Sequence, residues 1–470
     1  MSRSSKSPPP IVFILLAGLA WVGIKYYHKL FDGNSAGDRP APEIVKPVNH
    51  ATSPKVMANR ISWGDRLFVT PSSELKVQGS QAFGQQNYQQ AIDLWQASLD
   101  QFPNDPETLI YLNNAAIGNS KSYSIVVPIP VGVDVNTAQE ILRGVAQAQD
   151  EINARDGING VPLKVAIAND DNDPEIARKL AHDFTQNSDI LGVVGHFSSD
   201  VTLAAASVYE SSGLVAISPT STSVSISNAG NYIFRTVPSD RFAGNALAKY
   251  FLEELNKQNA VVFYNSESNY SKSLKDSFST DLVNNGGKVV TEFDLADDNF
   301  DPSNAVAQSN NNGAEALVLL ATSSTLDSAF SVAKNNNLQL PLLAGDDVYT
   351  AKTLQDAGKD TVDMVVAIPW HIRGEVDTSF PTSASSLWKA EVNWRTALAY
   401  DATQVLIAGL EDNPTRQGIQ TALSRTQFST TGASGEISFL PSGDRHKKPQ
   451  LVKVQSGNNS GFGYDFVPIN

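Results

Sequence analysis

From residue 122 onward, short runs rich in Val, Ile and Leu alternate with longer stretches whose apolar residues recur every three or four positions. This pattern predicts strands in the short runs and helices in the longer stretches. Such alternation is typical of an α/β fold with parallel sheets, and its length favours a closed barrel or two doubly wound lobes. The predicted strands are 124–128, 163–168, 190–194, 214–217, 260–264, 288–293, 316–320 and 340–344, with helices such as 137–154, 174–187 and 241–256 between them.

A purely helical pattern precedes this region. Gly79, Ala91, Trp95 and Pro103 follow one another at spacings of 12, 4 and 8 residues. This arrangement resembles a single tetratricopeptide repeat, followed by one more helix. We predict a tetratricopeptide-like helical hairpin over 72–121, which either docks a protein partner or serves as a plain spacer that lifts the next domain off the membrane.

The N-terminus carries an apolar run over residues 11–24 without a charged residue. Arg3 and Lys6 precede it, which is typical of an export signal. Its 14 residues suit a cleaved signal peptide and fall short of the ~20 usually needed to span a bilayer. We favour a retained signal-anchor or transmembrane segment over 1–32, because the nearest downstream cleavage site lacks a small residue at its third position upstream. Residues 33–71 are predicted as a flexible linker.

Composition narrows the classes of function. Apolar residues make up 41% and charged residues 18%, which suffices for a buried core. Lys and Arg total 35 against 49 Asp and Glu, a formal net charge of −14, so we expect no nucleic-acid partner. Cysteine is absent from the sequence, which excludes disulfides, thiolate metal sites, a Cys nucleophile and a lipid-modified N-terminal Cys.

Short segments of residues 122–455 match a known family in the same order. They are 139–144, 150–153, 157–160, 170–174, 193–196, 217–219, 234–236, 435–439 and 443–444. They resemble the leucine/isoleucine/valine (branched-chain amino acid)-binding proteins, which are type I periplasmic solute-binding proteins of ABC importers.

The resemblance implies two doubly wound parallel-sheet lobes joined by three hinge crossings, with the ligand in the cleft. The crossings should lie near Pro238, Ile368 and Ser442. Lobe I then covers 122–238 and 368–442, and lobe II covers 239–367 and 443–470.

The resemblance also implies a ligand site built from both lobes. An amino acid presents a carboxylate and an ammonium, so its site needs donors for the first and acceptors for the second. By resemblance, Ser199 at a helix N-terminus contacts the carboxylate, Tyr270 closes over the ligand, and Asp346 takes the ammonium. The implied ligand-binding residues are Ser198, Ser199, Thr220, Ser221, Thr222, Tyr270 and Asp346.

The residues of this predicted site allow more than one interpretation. Ser198 and Ser199 could simply cap the helix. Asp347, next to Asp346, leaves the register uncertain by one residue. The loop 130–137 departs from the family pattern, and so does Thr220, where a small apolar residue is frequent. Branched-chain and other neutral amino acids are therefore both candidate ligands.

Neither a metal, a cofactor nor an enzyme activity is predicted. Asp170, Asp171 and Asp173 alternate as in a calcium loop, but no Glu follows at the loop spacing and Asp173 before a proline is a good helix start. The six histidines lack metal-ligand spacing, and neither a Walker loop nor a nucleophile elbow is found. We expect His196 to be structural.

These observations predict a protein that captures an amino acid by hinge closure and delivers it to the permease of an ABC importer. The alternative is a membrane-tethered sensor of an amino acid or amide, or an assembly protein. The anchor and the helical hairpin favour this alternative, because a freely diffusing carrier needs neither. The expected location is the periplasmic face of the bacterial inner membrane, or the periplasm if the signal is cleaved.

Overall fold

The computed structural model describes residues 57–374 and 378–469. They form two seven-stranded sheets with flanking helices, and a separate two-stranded hairpin. The prediction of two doubly wound lobes is confirmed, and the alternative of a closed barrel is wrong. The apolar run 11–24 lies outside the described residues. Among the helices of 57–374 and 378–469, none is long and apolar enough to cross a membrane.

The first sheet forms the centre of lobe I. Its neighbouring strands are parallel, except that β1 lies antiparallel to β3 at one edge. The strand order across the sheet is β1-β3-β2-β4-β5-β6-β14. These strands are β1 (Ile61–Ser62), β2 (Tyr123–Ile129), β3 (Leu163–Asn169), β4 (Ile190–Val194), β5 (Val215–Ser218), β6 (Ile233–Pro238) and β14 (Asp444–Arg445).

The second sheet forms the centre of lobe II and is mixed. Strands β7 to β11 run parallel, and β15 and β16 add an antiparallel edge. The order is β16-β15-β11-β10-β9-β7-β8. These strands are β7 (Asn259–Tyr264), β8 (Lys288–Asp294), β9 (Ala316–Leu320), β10 (Leu342–Ala344), β11 (Val365–Ile368), β15 (Gln450–Ser456) and β16 (Tyr464–Pro468), and the hairpin is β12 (Thr430–Gly432) with β13 (Gly435–Ile437).

Helices cover both faces of the lobe I sheet. Ile125 and Val127 of β2 pack in one apolar cluster, and Val126 packs in another on the opposite face, as the two-residue period of a strand requires. The α-helices of the described residues are α1 (Glu74–Gly84), α2 (Tyr88–Gln101), α3 (Pro106–Ile117), α4 (Val135–Asn153), α5 (Pro174–Gln186), α6 (Ser199–Ser212), α7 (Asp240–Lys249), α8 (Asn269–Asn284), α9 (Pro302–Asn311), α10 (Leu326–Asn336), α11 (Ala351–Ala357), α12 (Phe380–Trp388), α13 (Trp394–Asp412) and α14 (Arg416–Leu423).

The chain passes between the two sheets three times. It leaves the first sheet after Pro238, returns after Ile368, and leaves again between Arg445 and Gln450. The third passage lies a few residues beyond Ser442, because β14 still pairs with β6. An ion pair of 2.7 Å between Arg235 Nε and Asp444 Oδ1 holds β14 there.

Helices α1 to α3 pack on lobe I. The Asn114 amide on α3 donates to the carbonyl oxygens of Trp63, at 2.8 Å, and Val165, at 2.7 Å. Helix α3 also packs along α4. The preceding Ile61 and Ser62 pair with β3, so the flexible linker predicted over 33–71 extends too far at its C-terminal end.

A buried ion cluster holds α1 against α3. Lys76 Nζ lies 2.8 Å from Asp105 Oδ1 and 2.9 Å from Glu107 Oε2, and all three side chains are at most 8% exposed. Glu107 also accepts hydrogen bonds from the backbone N–H groups of Phe68 and Val69. The segment before α1 is thereby tied to the same cluster.

Lys76→Met should destabilise the protein by about 3–5 kcal/mol, because it leaves two buried carboxylates without a cation. Chemical unfolding followed by tryptophan fluorescence measures this loss. The control is Lys179→Met, which removes a lysine whose side chain is 36% exposed and lies 4.0 Å from Glu175, and it should change stability by less than about 1 kcal/mol. Equal stability of the two variants would contradict the assigned role of the cluster.

Candidate ligand-binding site

A cavity of about 330 Å³ lies between the two lobes. Each lining segment follows the carboxyl end of a parallel strand: β2, β3, β4 and β5 of the first sheet, and β7, β9 and β10 of the second. This edge is where α/β sheets bind ligands. The cavity is lined by Val133, Asp134, Asn172, Pro174, Phe197, Ser198, Ser199, Asp200, Thr220, Asn265, Glu267, Ser268, Tyr270, Thr322, Ser323, Ser324, Asp346 and Asp347.

The start of α6 forms one wall of the cavity. Ser198 is the N-cap, and its hydroxyl accepts the N–H of Val201 at 3.4 Å. The Ser199 hydroxyl accepts the N–H of Ser223 at 3.2 Å. The first backbone N–H groups of a helix lack intrahelical acceptors and favour an anion, so this wall suits a carboxylate.

Of the three predicted site residues in the loop after β5, one lines the cavity and two do not. Thr220 lines the cavity, with its hydroxyl donating to the carbonyl of Phe197 at 2.7 Å. Ser221 and Thr222 do not line it. The Ser221 hydroxyl bonds that of Thr202 at 2.7 Å, and the buried Thr222 hydroxyl has no hydrogen-bond partner among the described residues. Ser221 therefore supports the loop.

Tyr270 and Asp346 form the opposite wall. Tyr270 lies in the first turn of α8, and its hydroxyl donates to Asp346 Oδ1 at 2.7 Å. Asp346 follows β10 directly after Gly345. A Cβ on Gly345 would lie 2.5 Å from the Tyr270 hydroxyl oxygen, so only glycine permits this approach.

The carboxylates of this wall resist ionisation in the ligand-free cavity. Burial, and then the neighbouring Asp347, raise the pKa of Asp346 to about 7. Burial raises the pKa of Asp240, beneath the wall, to about 6. Burial also raises the pKa of Asp347, although Arg395 Nη2 lies 3.1 Å from Asp347 Oδ1 and opposes the shift. A bound cation would favour ionisation of Asp346.

Polar contacts join the lobes around the cavity. Asp200 of lobe I accepts hydrogen bonds from the side-chain amide of Asn269, at 2.5 Å, and from its backbone N–H, at 3.2 Å. Arg395, on α13 of lobe I, reaches Asp347 and the carbonyl of Tyr349. Within the described residues, the lobes thus meet around the cavity through a few hydrogen bonds and one ion pair.

Sequence reasoning missed several residues of the site. Asp134 lines the cavity and caps α4 by accepting the N–H of Thr137 at 3.0 Å; it lies in the loop that departs from the family pattern. Asn265 and residues 322–324 follow predicted strands, so their position could have indicated them. Arg395 gives no local signal, because its contact with Asp347 spans two lobes.

The three aspartates at 170, 171 and 173 have separate partners. Asp170 Oδ2 lies 2.6 Å from His196 Nδ1, Asp171 pairs with Arg60 at 2.6 Å, and Asp173 caps α5. His196 is fully buried, and its other ring nitrogen lies 2.8 Å from the Tyr209 hydroxyl. In the part of the chain that the structure describes, no group of three or more His, Asp or Glu is arranged to hold a metal ion.

Comparison with known sequences finds one family over most of the chain. A family profile described as a periplasmic binding protein matches residues 131–460. An amino acid binding protein of Pseudomonas aeruginosa is 27% identical over 228 residues, which are 48% of this chain and 61% of the relative. The Leu/Ile/Val-binding protein of Escherichia coli is 31% identical over 148 residues, 31% of this chain and 40% of the relative. These alignments span less than two thirds of each relative.

Solved structures share the fold and differ in ligand. A leucine binding protein from Thermotoga maritima has a TM-score of 0.65 at 21% identity, covering 74% of this chain and 98% of that chain. An ABC transporter substrate-binding protein from Desulfitobacterium hafniense, in complex with Leu, has a TM-score of 0.63 at 23% identity, covering 74% and 100%. A solute binding protein from R. palustris, in complex with benzoate, has a TM-score of 0.63 at 16% identity, covering 74% and 96%. At these identities the likeness shows the fold alone.

Asp346→Asn should stabilise the protein at pH 8 by about 1–4 kcal/mol, and at pH 5 by only about a third as much. The folded pKa of about 7 lies above the unfolded value, so the folded state holds the proton more tightly and wild-type stability falls as pH rises from about 4 to 7. Asparagine keeps an acceptor for Tyr270 and carries no charge. Thermal unfolding at both pH values tests this.

The matched control is Asp298→Asn on the exposed surface of lobe II. It should shift the unfolding temperature little and equally at the two pH values. An Asp346→Asn effect of the same size at pH 5 and pH 8 would contradict the raised pKa of Asp346.

Proposed function

This chain belongs to the periplasmic binding protein family, and we propose that it captures an α-amino acid between its lobes and delivers it to the permease of an ABC importer. The observation that carries the proposal is the pairing of two walls across one cavity. The N-terminus of α6 lies on one side, and the buried carboxylate of Asp346 lies on the other.

The two walls suit the two charged groups of an amino acid. The free N–H groups at the start of α6, with the hydroxyls of Ser198 and Ser199, bind the ligand carboxylate. Asp346 binds the ammonium, and Tyr270 orients it by donating to Oδ1. Thr220 shapes the lobe I side with its methyl group, since its hydroxyl is committed to Phe197.

Closure follows from the division of these contacts between the lobes. A ligand that contacts both walls stabilises the closed form over the open one, as hinge proteins require. The lobes we propose are 122–238 with 368–442, and 239–367 with 443–470, except that β14 (Asp444–Arg445) pairs with β6 and so belongs to lobe I. The contacts of Asp200 with Asn269 and of Arg395 with Asp347 add to the closed form alone.

Delivery to an importer and a periplasmic location are supported by family membership and by the likeness to substrate-binding proteins of ABC transporters. A retained anchor over residues 1–32 remains a prediction, as does a partner for helices α1 to α3. Those helices favour a second candidate function, a membrane-tethered sensor. They cover part of lobe I and add a surface through which a closed receptor could contact another protein.

Asp346→Ala should weaken binding of the preferred amino acid by about 2–5 kcal/mol, because the ligand ammonium loses its buried partner. Calorimetry with the twenty amino acids first identifies that ligand and then measures the loss. Asp298→Ala, on the surface of lobe II, is the control and should leave affinity unchanged. Unchanged affinity in Asp346→Ala would remove this residue from the site, and the absence of any amino-acid binding would refute the proposed function.

A further inference from the structure

The interlobe cavity is lined by carboxylates of one sign without a matching set of cations. Five acidic residues line it, and no Lys, Arg or His does so within the described residues. Arg395, behind the wall, pairs with only one of them. The five are Asp134, Asp200, Glu267, Asp346 and Asp347.

The remaining lining is largely polar. Apolar surface comes from Val133, Pro174, Phe197 and the ring of Tyr270. Hydroxyl and amide side chains provide most of the rest. An aliphatic ligand side chain would displace the water that hydrogen-bonds to these groups and could not replace those hydrogen bonds. Its binding would therefore be unfavourable.

A neutral amino acid cannot balance this charge, because its carboxylate and ammonium cancel. A ligand with net positive charge reduces the repulsion among the carboxylates and favours their ionised forms. Resting on the amino-acid site proposed above, we propose that the ligand is an α-amino acid with a cationic side chain, of the lysine or arginine type, and that Glu267 is the counter-charge for that side chain.

Glu267 differs from the other four acids in its contacts. Asp346 accepts a hydrogen bond from Tyr270, Asp347 pairs with Arg395, and Asp200 is held by Asn269. Asp134 accepts the Thr137 hydroxyl at 2.8 Å. Glu267 donates its backbone N–H to Asn265 Oδ1 at 2.9 Å, and its carboxylate makes no hydrogen bond or ion pair within residues 57–374 and 378–469.

The location of Glu267 also suits the end of a long side chain. It lies in the loop after β7 and is exposed at the cavity rim, whereas Asp346 is buried. The α-ammonium would thus be held deep in the cavity. The side-chain cation would lie near the rim, where it keeps part of its hydration and pays a smaller desolvation penalty.

Calorimetry on the full-length chain with matched ligand pairs tests this inference. Lysine is compared with norleucine, which has the same chain length and no side-chain amine, and arginine with neutral citrulline. We expect each cationic ligand to bind at least about tenfold more tightly than its neutral partner. Glu267→Gln should reduce that preference about three- to tenfold and leave norleucine binding unchanged.

Glu411→Gln is the control for overall charge, since it removes one exposed carboxylate from α13 of lobe I. It should leave the preference unchanged, and an equal effect in both variants would overturn the role of Glu267. Leucine or norleucine binding as tightly as lysine would overturn the cationic-ligand inference while the proposed function stands. Failure of every α-amino acid, leucine included, would refute the proposed function itself.

Discussion

The site depends on one buried carboxylate. Asp346 lies at the end of a short central strand, beneath Tyr270 and next to Asp347, where water cannot stabilise its charge. Burial of an ionisable group without a cation is unfavourable, and here the protein bears that penalty in its ligand-free form. The local sequence is arranged to allow this. Gly345 lets the Tyr270 hydroxyl approach, and strand β10 places the Asp346 carboxylate at the carboxyl ends of the parallel strands.

The sequence alone predicted most of the parallel strands and fewer of the strands at the edges of the sheets. The predicted strand 190–194 coincides with β4, and 316–320 coincides with β9, because buried parallel strands are continuous apolar runs. Strand β1 has two residues, too few to show a period. The pattern could not choose between barrel and lobes, since both alternate strands with helices. The resemblance to binding proteins made that choice.

The site, like the fold, could be predicted from the sequence only in part. Tyr270 and Asp346 follow the ends of predicted strands, where ligands of α/β proteins bind, and both line the cavity. Ser221 and Thr222 lie in an equally suitable loop, yet the direction of each hydroxyl depends on backbone geometry that neither composition nor spacing encodes. Arg395 lies far along the chain from Asp347, and the two residues meet only where one lobe packs against the other.

Closure and charge are coupled in this arrangement. Lobe I contributes Asp134 and Asp200 to the cavity, and lobe II contributes Glu267, Asp346 and Asp347. Bringing the lobes together therefore brings like charges together in a space of low dielectric, where their repulsion is larger than in water. The few polar contacts between the lobes oppose this repulsion, and Arg395 neutralises the charge of Asp347. A ligand that adds positive charge removes the penalty only in the closed form. Electrostatic balance can thus make closure depend on the presence of the ligand, without any large apolar interface between the lobes.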